Sequence, residues 1–367
     1  MKSGSTIRVV VIEDSRLQAE EISRALESHS RIQVVGVAHD GESGRQLVSR
    51  TRPDVVTIDV HMPVMDGLTC MQYIMVEQPT PCIIVSALTG ESSMETFEAF
   101  ELGAVDVIQK PQGGTEEQVG LFQRRLTAKI LRASFADPTK LQRFQPAKPL
   151  PSKRETPSTR TRTAADSSTA PRSIVVIGAS TGGPRTVMDI LSRLPADFET
   201  PVLVIQHMPG SFTPSFSGRL NQICALNVCE AREGQRIAPG NVYVAPGDFH
   251  LRLEPVSAGL AARVKLDSEI GDEFVRPSVD IALESAVNIY GPRTVGVVLT
   301  GIGEDGARGM EAVQAAGGVT IAESEVSAVI YGMPKAVVER GAASQILPSR
   351  KIPEAIVAAA AGMEDSR

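Results

Sequence analysis

Four cysteines are all that the 367 residues contain, and Cys70, Cys82, Cys224 and Cys229 stand at no zinc-site or dithiol spacing. They read instead as small apolar residues kept reduced, which sets aside a structural zinc and a disulfide framework. No stretch of about 18 uninterrupted apolar residues occurs, so no segment has the make-up of a membrane-spanning helix. The opening residues Met1, Lys2, Ser3, Gly4, Ser5 and Thr6 lack the apolar core of a secretory signal. A cytoplasmic location without membrane insertion is expected. An excess of positive charge is missing as well. Lys and Arg number 37 against 43 Asp and Glu, a net charge of −6, and no helix-turn-helix segment is visible. Nucleic acid is therefore not an expected partner.

One long stretch is poor in large aliphatic residues. Between Ser134 and Arg172 there is no Val, Ile or Met, while Pro, Ser, Thr and basic residues abound. Such a segment cannot bury enough apolar surface to offset its ordering entropy, and it reads as a flexible tether acting as a passive spacer. The remainder is ample for globular cores, with 42% hydrophobic residues overall. The expected organisation is a first domain over residues 6–133, a linker over 134–172, a second domain over 173–348, and a C-terminal helix and tail over 349–367.

Histidine is scarce in the second domain, where only His207 and His250 occur. The scarcity matters because residues 173–183 look like a device for presenting a nucleophile. A β-branched run from Ile174 to Ile177 feeds into Gly178-Ala179-Ser180-Thr181-Gly182-Gly183, which fits the G-x-S-x-G turn between a strand and a helix. Glycines allow a sharp turn and close backbone approach, and the unpaired N–H groups of the following helix favour an oxyanion. A serine hydroxyl needs a base, and the base needs an orienting acid. His207 closes the apolar run 202–206, at a strand's C-terminal end, where open α/β sheets carry their functional groups. His250 follows a turn. The run 294–300 opens into Gly301-Ile302-Gly303-Glu304-Asp305-Gly306, which makes Asp305 the candidate acid. The chain order Ser180, His207, Asp305 is not that of the α/β-hydrolases, so a different scaffold is implied.

The first domain carries other chemistry. Strands are expected over 7–14, 33–38, 55–59, 82–86 and 105–111, with amphipathic helical stretches at 15–28, 67–77, 92–102 and 116–133. That alternation predicts a doubly wound parallel sheet. Its strand ends bring Glu13, Asp14 and Asp59 to one edge together with Ser86 and Lys110. Clustered carboxylates need a compensating cation, and oxygen ligands suit Mg²⁺. Asp59 is the candidate nucleophile for a phosphoryl group, Glu13, Asp14 and Asp59 the metal site, and Ser86 and Lys110 the partners of the phosphoryl oxygens.

Residues 6 to about 130 resemble the receiver domain of two-component response regulators. The match lies in Glu13-Asp14, in the segment from Asp59 to Gly67, in Ser86 and the three residues after it, and in Lys110-Pro111. Val107 stands where many receivers have an aromatic rotamer switch. Residues 172–348 resemble the catalytic domain of the chemotaxis protein-glutamate methylesterases. The match lies in Ile177 to Gly183, Gln206 to Pro209, Tyr243 to Gly247, Arg276 to Asp280, Leu299 to Gly306 and Tyr331 to Pro334. The resemblance implies two α/β domains, a flavodoxin-like receiver and a Rossmann-like esterase domain. It also implies a phosphorylation-regulated enzyme that hydrolyses glutamate γ-methyl esters on methyl-accepting chemoreceptors and deamidates receptor glutamines, with a histidine kinase as phosphodonor. Ser180 would be the nucleophile, His207 the base and Asp305 its orienting acid, with amides near Thr181 and Ile302 facing the oxyanion. The esterase reaction would need no cofactor, and His250 is demoted. Ile302 replaces a usual methionine. Two rival readings are a nucleotide-binding second domain, although the turn lacks the second glycine of G-x-G-x-x-G, and a non-enzymatic binding module.

Overall fold

The structure, a computed structural model, describes residues 5–86, 92–111, 115–141, 149–151, 170–256, 259–268 and 275–365. Residues 87–89 of the serine motif and most of the expected linker, 142–148 and 152–169, lie outside the described residues. The chain forms two units, residues 1–145 and 146–367.

In the first unit, β-branched runs make the strands β1 (Ile7–Ile12), β2 (Ile32–Ala38), β3 (Val55–Ile58), β4 (Cys82–Ser86) and β5 (Asp106–Gln109). Between and after them run α1 (Arg16–Glu27), α2 (Gly41–Thr51), α3 (Gly67–Glu77), α4 (Ser92–Leu102) and α5 (Glu116–Ala133). Side chains of Ser15, Asp40, Asp66 and Thr115 cap the N-termini of α1, α2, α3 and α5, each accepting a backbone N–H of the first turn. All pairings are parallel and the strand order is β2-β1-β3-β4-β5, the doubly wound order in which the ends of β1 and β3 adjoin. The turn after β3 demands glycine: a Cβ on Gly67 would lie 1.9 Å from the Asp59 carbonyl oxygen. Past α5 the chain stays packed, with Ala136 and Leu141 buried around a short turn at Pro138–Lys140. Cys70 and Cys82 are buried here, while Cys224 and Cys229 of the second unit are only half-buried.

The second unit contains β6 (Ile174–Ala179), α6 (Gly183–Ser192), β7 (Val202–Gln206), α7 (Thr213–Ile223), β8 (Asn227–Glu230) and β9 (Asn241–Val244). These are followed by β10 (His250–Pro255), β11 (Ala262–Asp267), α8 (Val279–Tyr290), β12 (Thr294–Val298) and α9 (Ala307–Ala315). The chain ends with β13 (Val319–Glu323), α10 (Met333–Glu339), β14 (Gln345–Leu347) and α11 (Ile352–Asp365). Seven strands form one parallel sheet, ordered β14-β13-β12-β6-β7-β9-β8. Successive strands leave β6 toward β7 on one side, whereas β12 returns to its other side. The crevice at such a reversal of direction is where open α/β sheets hold ligands.

One element departs from the parallel plan. β10 and β11 pair antiparallel as a separate hairpin, His250 opposite Asp267. Its alternation of Leu251, Leu253, Ala262 and Val264 turns one apolar face inward, and the Leu253 N–H donates to Ser285 Oγ of α8. In α11, Ile352, Ile356 and Ala360 recur every fourth residue and are buried, one stripe of a helix laid on the core. No helix among the described residues is long and apolar enough to cross a membrane.

Candidate functional site

Ser180 follows β6 directly. Its N–H donates to the Thr300 carbonyl (3.0 Å), so the turn after β6 is stitched to the turn after β12. The three glycines of the serine turn serve close packing. A Cβ on Gly178 would stand 2.3 Å from Val279 Cγ1, one on Gly183 2.3 Å from Gln206 Oε1, and one on Gly182, whose φ is +79°, 2.8 Å from Val329 Cβ. At each of these glycines a neighbouring side chain packs where a Cβ would stand.

His207 follows β7, with its N–H on the Ala179 carbonyl (3.0 Å). Its ring Nε2 lies 2.7 Å from Asp305 Oδ2, and both side chains are largely buried. The histidine and the aspartate, 98 residues apart in sequence, therefore meet at the ends of strands that flank β6. Asp305 is held by more than the imidazole. Its Oδ1 accepts from the Ser278 hydroxyl (2.9 Å) and the Asp280 N–H (3.0 Å), and its Oδ2 from the Val279 N–H (2.8 Å). The carboxylate thus sits on the N-terminus of α8, where free N–H groups and the helix dipole favour negative charge. Burial pushes its pKa up, but the hydrogen bonds and charge of His207 and the amides of Asp280 and Val279 outweigh this and hold it below the ordinary carboxylate value. Nε2 is the ring nitrogen that faces Asp305, and Nδ1 the one that does not.

Thr181 is buried, and its carbonyl accepts from Thr300 Oγ1 (3.0 Å). Ile302 is half-buried, and the carbonyl of the preceding Gly301 accepts the N–H groups of Gly332 (3.1 Å) and Met333 (2.9 Å). The second histidine, His250, opens the hairpin strand β10 and is 1% exposed. Sequence reasoning missed Ser278 and Gln206 as site residues. Ser278 had a local signal, a serine just before an apolar helical run. Gln206 Nε2 donates to the Ser180 carbonyl (2.9 Å) and the His207 carbonyl (3.3 Å), and nothing in the pattern announces that.

In the first unit, Lys110 Nζ is 2.7 Å from Glu13 Oε2, from Asp59 Oδ2 and from Gln18 Oε1. The lysine supplies the cation that this carboxylate cluster requires. Burial is the main cause that raises Glu13 to about 7, against the opposing effect of Lys110. One ligand oxygen from each of Glu13, Asp14 and Asp59 lies within 4.8 Å of the others. An all-carboxylate set of this size fits a hard divalent cation. Ser86 is fully buried, and its hydroxyl has no hydrogen-bond partner among the described residues. Val107 is buried in the strand interior. Gln18 was not anticipated.

A family model described as CheB methylesterase matches residues 175–356, and one described as response regulator receiver domain matches residues 9–118. A protein-glutamate methylesterase/protein-glutamine glutaminase of Symbiobacterium thermophilum is 41% identical over 356 residues, covering 96% of this chain and 97% of that protein. One of Carboxydothermus hydrogenoformans is 40% identical over 354 residues, covering 96% and 99%. The solved catalytic domain of Thermotoga maritima CheB methylesterase is 45% identical and covers 51% of this chain and 97% of that one, with a TM-score of 0.49. Matched over nearly its whole length by relatives of this kind, the chain belongs to the CheB methylesterase family in the form that carries an N-terminal response regulator receiver domain.

Proposed function

We propose that the protein is a phosphorylation-regulated serine esterase that hydrolyses glutamate γ-methyl esters on methyl-accepting chemoreceptors and deamidates receptor glutamines at the same site. The observation that carries the reading is the His207–Asp305 pair at the strand ends flanking the serine turn. Ser180 Oγ attacks the γ-carbonyl while His207 Nδ1 takes its proton. The imidazolium, stabilised by Asp305, returns that proton to the departing methoxide and methanol leaves. Water then repeats the sequence on the acyl-enzyme and restores Ser180. With a glutamine side chain the leaving group is ammonia. Asp305 stays ionised throughout, consistent with its depressed pKa. The N–H groups of Thr181 and Ile302 receive the oxyanion.

In the receiver, Asp59 accepts a phosphoryl group from a histidine kinase. Glu13, Asp14 and Asp59 would hold Mg²⁺, which would supply neutralisation of charge on the phosphoryl oxygens. Lys110 and Ser86 hold the remaining oxygens. Lys110 bridges Glu13 and Asp59, and the Ser86 hydroxyl has no hydrogen-bond partner among the described residues. Methanol released from methylated receptors tests the whole reading. Wild type should release it and Ser180→Ala should not. Equal release by both would overturn the assignment of the nucleophile.

A further inference from the structure

Gln206 ends β7, and its side chain is buried at 1% exposure. Side chains of neighbouring strand residues point to opposite faces, so Gln206 projects away from the direction taken by His207, into the serine turn. Its Nε2 lies against two carbonyl oxygens, 2.9 Å from that of Ser180 and 3.3 Å from that of His207. Both partners are acceptors, which fixes the amide with nitrogen toward them, and a primary amide has one N–H for each. One side chain thus ties the backbone of the nucleophile to that of the base.

The bond to Ser180 has a further consequence. A trans peptide is planar, with its carbonyl and following N–H directed oppositely. Whatever grips the Ser180 oxygen therefore sets the direction of the Thr181 N–H. Two donors grip it, the Gly183 N–H at 2.8 Å from within the turn and Gln206 Nε2 at 2.9 Å from the neighbouring strand. The first is a local turn bond that a rotation of the 180–181 peptide would break. The second braces that peptide from outside the turn.

The glutamine satisfies two carbonyls but leaves one of its own polar atoms unpaired. Its Oε1 is buried and has no hydrogen-bond partner among the described residues, and leaving a buried acceptor unpaired costs stability. Gly183 has no side chain to crowd that oxygen, which a Cβ would approach to 2.3 Å. An apolar side chain of similar size would remove that unpaired atom, but it would also take its donor from the Ser180 and His207 carbonyls. A buried polar group that is only partly satisfied beside reactive side chains points to a role in the site.

We propose that Gln206 is a positioning residue for ester cleavage: by clamping the Ser180 carbonyl it aims the Thr181 N–H at the developing oxyanion and sets nucleophile against base. The proposal rests on Ser180 being the nucleophile. The test uses full-length Gln206→Met and Gln206→Glu, with Ser180→Ala alongside, assayed for methanol release from a methylated receptor fragment. Inhibition by an alkylboronic acid, which forms a tetrahedral adduct on a reactive serine, is measured in parallel. In Gln206→Met, kcat should fall roughly 10- to 100-fold with KM within about threefold, since only transition-state contacts are weakened. Boronate affinity should fall by a similar factor, which a change in Tm alone would not produce.

In Gln206→Glu the ionised carboxylate cannot donate, so its kcat deficit relative to wild type should shrink as the pH is lowered and the carboxyl gains its proton. A kcat for Gln206→Met within about threefold of wild type overturns the proposal. So does a loss of kcat that accompanies a lower Tm with boronate affinity unchanged, the outcome of a merely structural role. If Gln206→Met does not fold, a Gln206→Glu deficit independent of pH overturns it. Methanol release by Ser180→Ala would instead mean that the nucleophile was misassigned, whatever Gln206 does.

Discussion

Asp305 and Asp280 each cap the helix on which the other resides or which it leads. Asp305, two residues before α9, accepts the Asp280 N–H at the start of α8 (3.0 Å), while Asp280 Oδ1 accepts the Gly309 N–H in the first turn of α9 (2.7 Å). The two helix N-termini are thereby tied to one another, and the Asp305 carboxylate cannot move without breaking the cap it gives α8. Activity and local stability are coupled through one carboxylate.

The first prediction separates those two roles. Asp305→Asn keeps an oxygen for the Asp280 N–H and the Ser278 hydroxyl but presents an NH2 to His207, which favours the wrong tautomer, and loses the acceptor of the Val279 N–H, so kcat should fall by about 10³- to 10⁴-fold with a smaller loss of stability. Ser278→Ala removes one donor to Asp305 and the hydroxyl cap of α8. It should lower stability by about 1 kcal/mol and kcat far less. Steady-state kinetics and thermal melts of the two variants give the comparison. A Ser278→Ala enzyme as inactive as Asp305→Asn would show that the hydroxyl takes part in more than capping.

The second prediction concerns acid. The folded pKa of Asp305 lies below its ordinary 3.8, so its contribution to stability is present above that value and is lost as pH falls through the folded pKa. A fragment beginning near Pro171 should lose Tm on acidification below about 3.8 more steeply than its Asp305→Asn counterpart. Parallel melting curves for the two proteins would remove Asp305 from the account.

The third prediction has the opposite sign. Glu13 is raised from 4.5 to about 7 in the folded receiver. Its contribution is fully present below 4.5 and is lost as pH rises through about 7, where the buried carboxylate ionises beside Asp59. Without divalent cations, that part of receiver stability should decline over this window, and Glu13→Gln should flatten the decline. Mg²⁺ binds the ionised cluster, so its apparent affinity, read from the Tm increment at fixed Mg²⁺, should climb through the same window. A Tm increment that is flat across pH 5 to 8 in wild type would remove Glu13 as a ligand.

Much of this architecture was legible because the signals are local. The run 174–177 became β6 (Ile174–Ala179), and helices expected at 67–77, 92–102 and 116–133 are α3, α4 and α5. The turns that carry Ser180, His207 and Asp305 could be picked one at a time, since each follows a strand-like apolar run. The contacts that complete the site were not legible. Ser278 reaches Asp305 across 27 residues and Gln206 reaches Ser180 across 26, distances at which periodicity carries no information. The hairpin β10–β11 was missed although its alternation is plain, because strong parallel-strand signals on either side set the expectation. Lys110 between Glu13 and Asp59 is similar: each was named, but the carboxylate cluster suggested only a metal as the balancing cation.

The fourth prediction concerns the phosphoryl acceptor. Asp59 Oδ2 is held by Lys110 Nζ at 2.7 Å and the side chain is mostly buried, so one carboxylate is presented in a fixed orientation. Brief exposure to a small phosphodonor with Mg²⁺ should add one phosphoryl group, visible by intact-mass spectrometry, and Asp59→Asn should abolish it. Labelling of Asp59→Asn at the wild-type rate would move the acceptor elsewhere.

The last prediction joins the two units through their tether. A regulatory module covalently linked to a catalytic one can act by covering its site, and a bulky receptor helix is excluded by such a cover before a small ester is. The energy needed is modest: a ten- to hundredfold activation corresponds to about 1.4 to 2.8 kcal/mol between covered and uncovered arrangements, within reach of one added phosphoryl group and its contacts with Lys110 and Ser86. The fragment beginning near Pro171 retains the seven-stranded sheet and its helices. It should therefore be more active on intact receptors than the unphosphorylated full-length protein, and the gain should shrink on a small methyl ester. Phosphorylating the full-length protein should close most of the difference, and Asp59→Asn should prevent that. Equal activity of fragment and full-length protein on receptors would exclude a steric cover and leave direct allosteric activation, in which phosphorylated Asp59 alters the serine site itself.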